Sequence, residues 1–137
     1  NGVMLYHICE RNRDLIKAIR REIAASRGQQ INIKEVLDRA IHGGAPRFYL
    51  DYETAIDGIR RYFNSGIIPA RGLRRGQWQE FAGLVRKRMD EVPNLKLSAA
   101  VGYVLLECPA SGFFLSRRQA YAIYNEHLRF LSYQNCA

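Results

Sequence analysis

Ala45-Pro46-Arg47-Phe48-Tyr49-Leu50-Asp51 returns as Ala110-Ser111-Gly112-Phe113-Phe114-Leu115-Ser116, shifted by 65 positions. The register extends both ways: Val36 falls on Val101, Ile41 on Leu106 and Ala55 on Ala120. Apolar positions, an aromatic pair and a helix-start residue kept in one register mark a repeated structural unit. The expected architecture is all-α, about six helices arranged as two fused three-helix units. Unit one covers 3–65, a connector covers 66–76 and unit two covers 77–133, within a single domain spanning 1–137. Each unit is of a size at which a lone core is marginal, so the halves are expected to share one.

Working outward, Ile8, Leu15, Ile16, Ile19 and Ile23 lie on an i, i+4, i+8 stripe and predict a helix over 3–25. Asn32, with Glu35 three positions on, signals the start of a second helix that buries Ile33, Val36, Leu37, Ala40 and Ile41. Gly43-Gly44-Ala45-Pro46 ends it. Asp51 is the N-cap of a third helix with Tyr52, Ala55, Ile56, Ile59 and Phe63 on one face. Gly58 inside that face costs about 1 kcal/mol against alanine, which points to close packing on a neighbouring helix. Asn64 to Gly76 reads as a connector carrying Arg71, Arg74 and Arg75. A fourth helix over 77–92 turns Trp78, Phe81, Val85 and Met89 inward and stops at Pro93. A fifth, over 97–107, buries Val101, Val104, Leu105 and Leu106. Ser116 with Gln119 forms a capping box before a sixth helix that reaches about Leu131 and buries Ala120, Tyr121, Tyr124 and Leu128. The Phe-Tyr-Leu and Phe-Phe-Leu triplets either pair as very short extended segments or plug the core. A ribbon of three residues gains little alone, which favours the plug.

Apolar residues make up 47% and charged residues 25% of the 137, a balance that fits a soluble globular chain. No apolar run approaches the roughly 18 residues of a membrane helix, and no secretory pattern opens the chain, so no membrane partner is expected. Asn1 is not an initiator, which implies an upstream start. Cys9, Cys108 and Cys136 are isolated in sequence and read as free thiols of a cytoplasmic protein. The motifs G-x-x-x-x-G-K, G-x-G-x-x-G, H-E-x-x-H and G-x-S-x-G are missing. His7 and Cys9, two apart on a helix, point away from each other and make no metal pair. His42 and His127 read as structural, at or near helix ends. Asp51 and Glu53 are explained by capping, and Asp90 and Glu91 by surface pairing. The expectation is a non-enzyme with no catalytic residue, no metal and no cofactor.

Net charge is +8, with eleven basic and eight acidic residues in 1–65 and ten against five in 66–137. Such a field concentrates polyanions. The candidate contacts are Arg11, Arg13, Lys17, Arg20 and Arg21 in the first helix, Arg71, Arg74 and Arg75 in the connector, and Arg86, Lys87 and Arg88 in the fourth helix. Helix, helix, bend and capped helix is also the order of helix-turn-helix modules, in which the helix after the bend leads into the groove. Arg117 and Arg118 hold that place in the second unit; Arg47, Arg60 and Arg61 flank it in the first. The bend of seven or eight residues is longer than the usual three or four, and Asp51 and Glu53 would repel phosphate. A nucleic-acid-binding module, most simply for DNA, is the first expectation. The alternative is a protein-interaction or scaffold module, for which Tyr6, Tyr62, Tyr103 and Tyr133, off the buried faces, supply docking aromatics. Equally, these tyrosines cap core edges with the hydroxyl in water. Oligomeric state is left open.

Arg11-Asn12-Arg13-Asp14-Leu15, followed by Ala45-Pro46-Arg47-Phe48-Tyr49-Leu50, resembles a set of small basic bacterial proteins of unknown function. These share the two-copy layout and an Ala-Pro-x-Phe-Tyr/Trp-Val/Leu signature. The resemblance covers most of the chain and implies a bacterial, cytoplasmic setting; it brings no activity and no functional residue. The second copy departs from the signature, with Ser111-Gly112 in place of Pro46-Arg47.

Overall fold

The computed structural model describes residues 2–135, of which the side chains of 2–4 and 135 are left aside. The described residues form six helices: α1 (Gly2–Ala25), α2 (Ile33–His42), α3 (Tyr52–Ser65), α4 (Leu73–Glu91), α5 (Leu97–Glu107) and α6 (Arg117–Asn135). The fold is all-α, and the one extended pairing among these residues is an isolated antiparallel bridge. That bridge joins Ala45 to Ala110, the two alanines that open the repeated stretch. Ala45 N–H donates to Ala110 O at 3.0 Å, and Ala110 N–H returns to Ala45 O at 2.9 Å.

The aromatic triplets beyond the bridge plug the core. Phe48, Leu50, Phe113 and Leu115 are buried, while Tyr49 and Phe114 are half-buried. Tyr49 stacks on Phe113 with ring centres 6.1 Å apart, and Phe48 meets Phe81 edge-on at 5.3 Å. These offset and edge contacts suit the quadrupoles of the rings. Buried residues of both halves belong to one continuous cluster. The third helices are exchanged: α3 packs on α5, and α6 packs on α2 and α1. Each second helix is therefore covered by the third helix of the other half.

Local chemistry explains most element boundaries. Asn32 Oδ1 accepts from Lys34 N–H at 3.0 Å, and Asp51 Oδ2 from Thr54 N–H at 3.2 Å. Ser116 and Gln119 form a reciprocal capping box, at 2.9 Å from Ser116 N–H to Gln119 Oε1 and 3.1 Å from Gln119 N–H to Ser116 Oγ. These bonds satisfy amides that have no partner inside the helix. Gly58 meets a helix neighbour as its position implied. A Cβ placed there would lie 2.6 Å from Cζ3 of the buried Trp78 on α4. Gly112 is held as closely, since a Cβ there would sit 2.6 Å from Ile41 O. The same carbonyl accepts Phe113 N–H at 2.9 Å. Gly112, 65 positions after Arg47, thus stands where backbone passes against backbone.

Four expectations need correction. The connector ends earlier than its glycines implied: α4 starts at Leu73, after a turn at Gly72 (φ 61), so Arg74 and Arg75 lie in its first turn. Helix continues through Gly76, where an added Cβ would lie 3.8 Å from the Phe114 ring, and the packing of α4 outweighs a propensity loss of about 1 kcal/mol. Leu106 is 84% exposed rather than buried. The buried face of α5 is Ala100, Val101 and Val104. Those positions follow Val36, Leu37 and Ala40 of α2 by 64 residues, one fewer than the bridge offset, and a one-residue slip turns a helix face by about 100°. Tyr121 and Leu128 are exposed, because α6 sits on α2 and α1 along one narrow stripe that includes Ala120. Ile8 and Tyr52 are also exposed. Ile8 lies on the N-terminal stretch of α1, whose 24 residues span about 36 Å and overrun the core. Cys9 and Cys108 are free, and Cys136 lies outside the described residues. No described helix is long and apolar enough to cross a membrane.

Candidate functional site

The basic residues of α1 divide by helical phase. Leu15 and Ile19 point into the core. Arg13, Lys17, Arg20 and Arg21 are exposed, and their spacing puts them on the opposite, outward face. Arg11 falls four residues before Leu15 and so turns toward the protein, where it is half-buried. Its Nε and Nη2 donate to Asn12 Oδ1 at 3.1 and 3.0 Å. Burial, and after it the cation of Arg74, draw the Arg11 guanidinium below its ordinary pKa. Residues far apart in sequence, on α1 and α4, thereby place two cations within electrostatic reach of each other.

Between them opens a cleft of about 390 Å³. Arg11 and His7 enter from α1, Arg71 from the connector, and Arg74 and Gln77 from α4. Leu73, Phe113 and Phe114 give it an apolar wall, and Gln119 closes one side. No ion pair to Arg11, Arg71 or Arg74 is found among the described residues. Nearby acids are engaged elsewhere. Tyr49 Oη donates to Asp14 Oδ2 at 2.7 Å. Burial, together with Asp14, pushes the Tyr49 phenol far above its ordinary pKa. Asp51 lines the cleft, but its Oδ2 caps α3 through Thr54 N–H and Oγ1. Glu10 Oε1 lies 2.8 Å from Arg47 Nη1, a charge contact in which no N–H is aimed well enough to count as a hydrogen bond.

The remaining candidates disperse. Arg117 makes a two-pronged pair with Asp38 of α2, at 3.0 Å from Nε to Oδ1 and 2.8 Å from Nη2 to Oδ2. Arg117 holds the Asp38 carboxyl below the usual range, and Asp38 raises the guanidinium in turn. Arg86 lies over Phe63, 4.4 Å from its centre, and Arg88 over Tyr103 at 3.8 Å, so both cations rest on aromatic faces. Tyr62 and Tyr103 are half-buried in these contacts, whereas Tyr6 and Tyr133 are exposed, Tyr133 by 78%. Lys87, Arg75 and Arg118 are exposed. Arg60 and Arg61 line a separate open depression with Asp57 and Asn64. Arg20 Nη2 lies 3.0 Å from His127 Nε2. An arginine can only donate, so the ring nitrogen is the acceptor of any hydrogen bond in this contact.

The site thus unites Arg11 with Arg71 and Arg74, and leaves the α4 trio, Arg60, Arg61 and Arg117 apart from it. His7, Gln77, Gln119 and Phe114 were missed as site residues. Phe114 alone had a signal, its place inside a repeated triplet. Among the described residues no three His, Cys, Asp or Glu side chains gather as a metal site. Chemically, the arrangement offers donors and positive charge on one side and a planar apolar surface on the other. Neither a protein-family model, nor a curated protein, nor a solved structure matches this chain.

Proposed function

We propose that this chain is a small nucleic-acid-binding module that engages the phosphate backbone. Its contacts are the cleft arginines Arg11, Arg71 and Arg74, the adjoining Arg75, and the outward stripe Arg13, Lys17, Arg20 and Arg21 of α1. The observation that carries this reading is that Arg11, Arg71 and Arg74 line one cleft with no salt bridge to any of them among the described residues. Like charges held together without a counter-ion are an arrangement that an anion relieves. Backbone contact, rather than base reading, is the favoured mode, because Arg117 at the head of α6 is occupied by Asp38.

The test is fluorescence anisotropy with duplex DNA and structured RNA over a salt series. Each neutralised phosphate adds about 0.9 to the log–log salt slope on B-DNA, so a slope steeper than about −3 is expected. No binding at about 50 mM salt would retire the proposal. Arg74→Glu with Arg75→Glu should weaken binding while the helical signal stays unchanged. A second reading, docking of a protein partner, draws on the exposed Leu5, Tyr6, Phe130 and Tyr133. It predicts instead a complex that survives high salt.

A further inference from the structure

The cleft is narrower in its demands than a general polyanion surface. Three guanidinia converge on it from α1, the connector and α4. Asp14 and Asp51, the acids beside it, are held by Tyr49 and by Thr54. His7 Nδ1 is buried and finds no protein partner. The opposite wall is aromatic, and Phe114 there has φ 54, a left-handed backbone that a bulky residue adopts only at a cost. Strain of this kind gathers where a fold over-determines one side chain's position, and here the ring is held at the cleft wall. At about 390 Å³ the volume falls in the range of small-molecule sites, about 300–1,000 Å³, and exceeds what a bare phosphate fills.

We propose that this cleft binds an organic phosphate of nucleotide size, with the phosphate on Arg11, Arg71 and Arg74 and the planar base against Phe114. The source is either a free nucleoside monophosphate or the terminal nucleotide of a single strand. Guanidinium forks match phosphate oxygens in pairs, and an aromatic face accepts any base by stacking. Gln77 and Gln119 supply amides to the base edge. The proposal rests on the polyanion reading only in placing one of its phosphates.

The experiment titrates the whole chain with adenosine monophosphate, adenosine and inorganic phosphate by calorimetry. In parallel, anisotropy follows a single-stranded oligonucleotide with and without a 5′ phosphate. Expected are one site per chain and adenosine monophosphate bound about tenfold or more tighter than adenosine. Arg74→Gln and Arg71→Gln, both at exposed positions, should each weaken it about tenfold, and Lys34→Gln on α2 should not. Phe114→Asn, a residue that tolerates positive φ, should weaken the nucleotide and spare inorganic phosphate. Preference for the phosphorylated strand end assigns the terminal nucleotide; equal binding of both strands assigns the free nucleotide. An undetectable adenosine monophosphate site, or one indifferent to Arg71 and Arg74, overturns the proposal. If oligonucleotides still bind in that case, the backbone reading survives alone. If adenosine monophosphate binds and oligonucleotides do not, the backbone reading falls and the nucleotide site stands.

Discussion

Replacing Gly58 by alanine tests the close approach of α3 to Trp78 of α4. The added methyl would lie 2.6 Å from Trp78 Cζ3 and 3.2 Å from Cζ2, where ordinary contact begins near 3.4 Å. Trp78 has little room to withdraw, since it is buried and its ring meets Phe81 edge-on at 6.2 Å. Relief requires α3 and α4 to part by close to an ångström, and overpacking of this kind costs about 1–3 kcal/mol. Alanine returns up to about 1 kcal/mol through helix propensity. A clash of about an ångström with a pinned indole belongs in the upper half of that range, so the net loss is about 1–2 kcal/mol, or about 4–8 °C in melting temperature for a chain of this length. Gly83 lies on the same helix as Trp78, and a methyl added there would meet nothing within 4 Å, so Gly83→Ala should stabilise by about 0.5–1 kcal/mol. Urea unfolding followed by circular dichroism measures both. The decisive arm is a double-mutant cycle. Trp78→Phe removes the six-membered ring atoms that strike position 58, and the indole Nε1 has no protein partner to lose. The Gly58→Ala penalty should therefore shrink by about 1 kcal/mol in that background. A Gly58→Ala protein as stable as the parent, or a penalty that Trp78→Phe leaves unchanged, would refute the argument.

Gly112→Ala forces a methyl against Ile41 O and disturbs the 2.9 Å bond that this carbonyl accepts from Phe113. A loss of about 2 kcal/mol or more is expected by the same unfolding assay, and a neutral substitution would count against the close approach. Tyr49 has a phenol pKa raised above its unfolded value of about 10, so its contribution is complete below about pH 10. Above that the unfolded chain sheds a proton the folded one keeps, and stability falls; Tyr49→Phe should flatten this alkaline decline, and parallel curves from about pH 8 to 11 would sink the assignment. Asp38 titrates below its unfolded value because of Arg117, so its contribution is present above about pH 4 and fades as pH falls further. The stability gap between parent and Asp38→Asn should narrow from about pH 6 to about pH 3, and a constant gap would contradict the pair.

Helix order, the capping residues and the core role of the triplets were legible because each rests on local chemistry. Asn32, Asp51 and Ser116 act on amides two or three positions away. Gly58 was legible for a related reason: a costly residue on a buried face implies a neighbour. The departures arise where distant contacts decide. Leu106 reads as core in one linear register, yet the loop after α5 follows a different path from the glycine loop after α2 and rotates the helix face outward. α4 starts at Leu73 and runs through Gly76, a residue whose local propensity signals a break. The three arginine clusters look alike in sequence. Their fates differ because Phe63 and Tyr103 capture Arg86 and Arg88, while Arg11 and Arg74 line one cleft with no ion pair among the described residues. Pairing of that kind is a property of the assembled surface, and no spacing rule encodes it.

Because each half lends its last helix to the other, neither half is a self-sufficient piece. A fragment ending after α3 would leave α2 without the cover that α6 provides, and would carry an α3 with no α5 to receive it. The two loose ends are complementary only across halves. Severing the chain near Gly66–Gly72 should therefore yield partners that seek one another, and a lone first half would find its missing cover only in a mate. The peptide link at that point serves less to shape the fold than to guarantee that the mate is always present.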